Sequence, residues 1–158
     1  MYSYSGPARR RILAYSTARN TDAATSQDGR AILAETPVIC IIDDDESVRV
    51  ATRSLVRSLG FAAYTFESPE EFLHSPRVED TSCLISDVRM PNMSGVELQS
   101  RLLALGRAIP IIFITAFPDE TIRARALNAG AVAVLTKPFY GETLIKCIDS
   151  VLKRRVTR

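Results

Sequence analysis

Asp43, Asp44, Asp87, Thr115 and Lys137 each stand at the end of a short apolar run, where carboxylates, a hydroxyl and an ammonium are costly to bury. The runs are Val38 to Ile42, Cys83 to Ser86, Pro110 to Ile114 and Val132 to Thr136. Two adjacent carboxylates repel each other unless a cation sits between them. A hard divalent ion such as Mg2+ takes one or two carboxylates, several waters and a phosphate oxygen, which suits an open cluster of Asp43 and Asp44 completed by Asp87. A metal there lowers the repulsion between a carboxylate nucleophile and an incoming phosphoryl group. Lys137 supplies a point charge and Thr115 a hydroxyl donor for the phosphoryl oxygens. With Asp87 as nucleophile an acyl phosphate forms without a Ser-His or Cys-His pair, and none is evident in the sequence.

For these side chains to meet, their runs must lie side by side in one sheet. All four read as buried strands of a parallel sheet, and in such sheets ligands sit beyond the carboxyl ends of the strands. Ala62 to Phe66 supplies a fifth strand. Between the strands, Val48, Ala51, Thr52, Leu55 and Leu59 make a helical apolar face ended by Gly60. Ser68, Pro69, Glu70 and Glu71 spell an N-cap, a proline at the first helical position and a glutamate placed for a capping box, opening a short second helix. Breakers from Met90 to Gly95 precede a third helix, about Val96 to Leu105, closed by Gly106. Pro118 and Asp119 introduce a fourth, capped by Gly130. Glu142 to Arg154 is the fifth, with Leu144, Ile145, Ile148, Val151 and Leu152 facing inward. Right-handed crossovers then give a three-layer sandwich with helices on both sheet faces.

The chain has 158 residues, 46% apolar and 24% charged, ordinary for one globular domain from about Pro37 onward. A net charge of +2 gives no strong case for nucleic acid or membrane as the main partner. Residues 1 to 36 lack steady periodicity and read as a flexible basic N-terminal tail. An organelle transit peptide, or a start codon assigned too far upstream, would also account for them. No apolar run approaches the roughly 20 residues that span a bilayer. Cys40, Cys83 and Cys147 lack metal-type spacing and read as small buried hydrophobes in a reducing cytoplasm. His74 is the only histidine and reads as an exposed or packing residue of the second helix. Arg49, Arg53 and Arg57 form a basic stripe read as a solvated outer face.

Four segments in order, Ile41-Ile42-Asp43-Asp44-Asp45-Glu46, Ser86-Asp87-Val88-Arg89-Met90-Pro91-Asn92-Met93-Ser94-Gly95, Ile114-Thr115-Ala116 and Thr136-Lys137-Pro138-Phe139, carry a resemblance. From about residue 37 to 153 the chain resembles a response-regulator receiver domain of two-component signalling, most closely the nitrogen-fixation-regulator type. The resemblance implies a flavodoxin-like five-stranded sheet of order 2-1-3-4-5. It implies that Asp87 accepts a phosphoryl group from a sensor histidine kinase or phosphotransfer protein. Asp43, Asp44, Asp87 and the backbone carbonyl of Arg89 would hold Mg2+, Thr115 and Lys137 would contact the phosphoryl oxygens, and Lys137-Pro138 would be a cis peptide. Such a protein is a phosphoacceptor that catalyses its own phosphorylation and dephosphorylation rather than an enzyme with a separate substrate. It would signal through protein contacts to a downstream protein, with homodimerisation possible through the helix 4, strand 5, helix 5 face. The chain departs from the family at Val134, where a Tyr or Phe usually stands, so a ring swing is unavailable there. Backbone and loop movement driven by Thr115 is the remaining route.

Two other functions fit parts of the sequence. Asp43 and Asp45 can be read as the Asp-x-Asp pair of a small haloacid-dehalogenase-like phosphatase, but only Glu142 and Asp149 follow Lys137 as acidic candidates, both within a helix. A transcription factor is disfavoured because too few residues follow Lys153 for a helix-turn-helix domain, so the expectation is a single-domain regulator without an output domain or direct DNA contact.

Overall fold

A computed structural model describes residues 24–25, 31–32 and 35–156. The apolar runs become the strands β1 (Val38–Ile42), β2 (Ala62–Phe66), β3 (Cys83–Asp87), β4 (Ile111–Thr115) and β5 (Ala133–Thr136). All pair in parallel, in the order β2-β1-β3-β4-β5. The fold is therefore the flavodoxin-like sheet of order 2-1-3-4-5. Its register brings the polar ends level: Ile42 pairs with Ser86, Asp87 with Ile114, and Thr115 with Thr136.

Four helices cross between the strands, α1 (Glu46–Ser58), α2 (Pro69–Leu73), α3 (Gly95–Ala104) and α4 (Glu120–Asn128), and a fifth, α5 (Gly141–Val156), follows the last strand. Period-two alternation along β1 divides the core. Ile39 and Ile41 pack with Leu55 and Val56 of α1 and Leu144 and Ile148 of α5. Cys40 and Ile42 pack on the other face with Phe72 of α2, Leu98 and Leu102 of α3 and Ala126 of α4. The inward residues expected of α5 are all buried. In α1 the face is rotated slightly from the expected one. Val56 is fully buried and Ala51 is exposed, because Leu55 and Val56 side by side make the contact with the sheet.

Helix starts follow their capping residues. Asp45 caps α1 through the N–H groups of Ser47 and Val48, and Asp119 caps α4 through those of Thr121 and Ile122. Ser68 accepts from the Glu71 N–H, but the Glu71 carboxylate reaches one residue further back, to the Glu67 N–H. The reciprocal capping box forms instead at α3, between Ser94 and Glu97. A short 3-10 turn at Pro76–Val78, absent from the sequence reading, links α2 to β3.

Cys40 and Cys83 lie buried on adjacent strands but in opposite core layers, Cys147 is half-buried rather than buried because it sits at the edge of the α5 inner face, and none of the three forms a disulfide. Burial pushes the Cys40 thiol up to about 11, which suits an inert interior residue. His74 is exposed at the end of α2, its Nδ1 2.7 Å from the Glu70 carbonyl. Ala24–Thr25 and Ala31–Ile32 form a two-residue antiparallel pairing; the rest of the expected tail before residue 35 lies outside the described residues. Among the described residues no helix is long and apolar enough to cross a membrane.

Candidate functional site

Asp43 immediately follows β1, Asp87 ends β3 and Thr115 ends β4, while Lys137 follows β5 at a cis Lys137-Pro138 bond. The sheet order puts β3 beside β1, so Asp87 arrives next to Asp43 and Asp44. One carboxylate oxygen from each of the three lies within 4.8 Å of the others. Lys137 reaches the same point from the far strand, its Nζ 3.0 Å from Asp43 Oδ2 and 3.2 Å from Asp87 Oδ2. Its backbone N–H donates to the Thr115 carbonyl at 2.8 Å, which fixes the lysine's root against β4.

Asp43 is fully buried, and this loss of hydration raises its pKa from its ordinary value. The Asp45 N–H, 2.9 Å from its Oδ1, and the Lys137 ammonium oppose that rise without cancelling it, and the nearby Asp87 charge adds to it. For Lys137, burial pulls the pKa down, but the hydrogen bonds and charges of Asp43 and Asp87 outweigh it and the net direction is up. The lysine is thus held protonated between two carboxylates.

Asp44 is exposed at the mouth of the cluster. Asp45 points elsewhere. It is the exposed cap of α1, and the Ser47 hydroxyl and N–H that it accepts hold its pKa down. Arg89 donates its backbone N–H to Asp87 Oδ1 at 3.1 Å and lays its guanidinium 5.2 Å from the centre of the Phe117 ring. The Thr115 hydroxyl is engaged by the Phe117 backbone rather than by another of the five.

Three neighbours that the sequence reading did not place here complete the site. Arg49, expected on a solvated stripe, turns inward and donates to the Asp43 carbonyl at 2.7 Å, its side chain only 12% exposed. Nothing in a helical spacing distinguishes an arginine that folds back onto the preceding strand from one that faces water. Gly95 donates its N–H to the Val88 carbonyl, and a Cβ there would collide with the Asp87 carbonyl and come within 2.8 Å of the Phe113 ring. Phe117 is the third, and its only sequence signal is proximity to Thr115.

A strand-end cluster of three carboxylates with a lysine held across it, on a sheet of this order, defines a receiver. Residues 39–149 match the family described as response regulator receiver domain, and the chain belongs to that family. Over 116 residues it is 47% identical to the response regulator protein TodT of Pseudomonas putida, covering 73% of this chain and 51% of TodT. It is 37% identical over 128 residues to nodulation protein W of Bradyrhizobium diazoefficiens, covering 81% of this chain and 56% of that protein. Among solved structures it is similar to the response regulator StyR, at 44% identity and a TM-score of 0.72, covering 78% of this chain and 63% of StyR. It is also similar to FixJ-N, at 37% identity and a TM-score of 0.67, covering 75% of this chain and 94% of that one. The chain spans about half the length of the curated relatives it matches.

Proposed function

We propose that this chain accepts a phosphoryl group on Asp87 from the phosphohistidine of a sensor histidine kinase or phosphotransfer protein. The observation that carries this reading is the Lys137 ammonium held between Asp43 and Asp87, beside the three-carboxylate cluster. An Asp87 carboxylate oxygen attacks phosphorus, the P–N bond breaks with its electron pair passing to the imidazole nitrogen, and an acyl phosphate remains on Asp87. Lys137 neutralises charge on the phosphoryl oxygens, and the Thr115 hydroxyl donates to one of them. The Arg89 N–H steadies the other Asp87 oxygen during attack.

Three hard carboxylate oxygens within reach of one another fit a hard divalent cation. Asp43, Asp44 and Asp87, with the backbone carbonyl of Arg89, would hold Mg2+, which when bound screens the carboxylate from the incoming phosphoryl group. The same residues would serve hydrolysis of the acyl phosphate, returning Asp87 to its starting state. Output passes through protein contacts in the cytoplasm, with the α4, β5 and α5 face as the surface for a downstream protein or a second copy. Nothing favours the phosphatase alternative: Asp45, its required acid/base, is occupied as a helix cap.

Acetyl phosphate with MgCl2 is expected to add one phosphoryl group, read by intact mass, and Asp87→Asn to block it. No adduct on the native chain, or an undiminished adduct on D87N, contradicts the reading.

A further inference from the structure

The Thr115 hydroxyl is already spent on Phe117. Its Oγ1 accepts from the Phe117 N–H at 3.1 Å and donates to the Phe117 carbonyl at 3.2 Å, so one hydroxyl holds the backbone of residue 117 at both of its polar groups. The Phe117 side chain is 62% exposed. Its ring faces the guanidinium of Arg89, which belongs to the loop after Asp87. Phe117 also borders a cavity of about 40 Å3 lined by Thr115, Val88, Ile122 and Val134. From the same cavity wall, Arg123 of α4 donates to the Val134 carbonyl at 2.8 Å.

A hydroxyl has a single proton to donate. It cannot serve the Phe117 carbonyl and a phosphoryl oxygen at once, and the charged oxygen is the stronger acceptor. A phosphoryl group on Asp87 therefore takes that proton and leaves the Phe117 carbonyl without its partner. The freed residue carries a largely exposed apolar ring next to a cavity of mixed lining whose apolar wall is Val88, Ile122 and Val134, and packing against that wall removes ring surface from water.

We propose that Phe117 reports phosphorylation: when Thr115 gives its proton to a phosphoryl oxygen, the Phe117 backbone is released and its ring leaves solvent to close over the cavity beside Val134. The cavity is smaller than a phenyl ring, so the ring caps its mouth and loses exposure on one face. Val134 matters here because its small side chain leaves that space open. The movement separates the ring from Arg89 and changes the surface where α4 meets β5. This inference rests on Asp87 being the phosphoacceptor.

The chain contains no tryptophan, so Phe117→Trp places a single fluorescent reporter at the position. Tyr140→Trp, at a side chain 83% exposed, serves as the comparison. Each variant is treated with acetyl phosphate and MgCl2, with adduct formation followed by intact mass and indole exposure by emission wavelength and acrylamide quenching. The expected result is a blue shift and reduced quenching of F117W as its adduct forms, with Y140W unchanged. An adduct on F117W without a change in emission or quenching overturns the role of Phe117 and leaves the phosphoacceptor reading standing, as does an equal change in Y140W. Absence of an adduct on the native chain and both variants overturns both.

Discussion

Burial raises the Asp43 pKa despite its partners, and that direction makes a prediction of its own. A carboxyl whose folded pKa is raised above its unfolded value binds protons more tightly when folded. The native chain therefore loses stability as pH rises from the ordinary carboxylate range through the raised value. Asp43→Asn imitates the protonated form. In the absence of divalent cations it should match the native chain near pH 4 and be more stable than it at pH 7, measured by urea denaturation at both values. A variant less stable than the native chain at pH 7 would mean that the Lys137 contact outweighs the burial cost. At this scale the sequence was informative wherever burial and chemistry conflict. Asp43, Asp44, Asp87 and Lys137 are conspicuous at the ends of apolar runs, and the structure brings them together. It misplaced Arg49, whose guanidinium folds back to the Asp43 carbonyl, and was silent on Phe117, whose backbone the Thr115 hydroxyl holds and whose ring meets Arg89 of another loop; no local pattern records either contact.

Elements place the site by how they begin and end. The loop from Asp87 to α3 is fastened at Gly95, which bonds the Val88 carbonyl and lies against the Asp87 carbonyl with no room for a Cβ. Gly95→Ala should therefore destabilise the domain by about 1–3 kcal/mol through overpacking against backbone that cannot yield, read by denaturant unfolding. It should also slow phosphoryl transfer by displacing Asp87. A stable, fully active G95A chain would contradict the close approach. The strands and helices were largely legible because hydrophobic period, prolines and glycines agree: Gly60, Gly106 and Gly130 all adopt positive φ just past helix ends, as their positions imply. The 3-10 turn was not, since Pro76 after Ser75 serves a turn and a helix start equally well. The exposure of Ala51 against the burial of Val56 depends on how α1 rolls on the sheet, a tertiary choice between two similar apolar stripes.

The whole molecule is a receiver fold whose carboxylate-lysine cluster is formed only when β1, β3 and β5 have assembled in order. Five parallel strands bring together residues 94 positions apart, Asp43 and Lys137, and no segment alone contains the site. We expect the chain from Glu35 onward to fold and accept phosphoryl groups as the full chain does, since the family match spans 39–149. A large drop in thermal midpoint on removing residues 1–34 would assign them a structural role. On the proposed function, the phosphoryl group resides on Asp87. Borohydride reduces an acyl phosphate to the alcohol, so after treatment with acetyl phosphate and MgCl2 followed by borohydride, peptide mass spectrometry should find homoserine at position 87. Reduction at Asp43, Asp44 or Asp45 instead, or aspartate unaltered at all four positions, would contradict it.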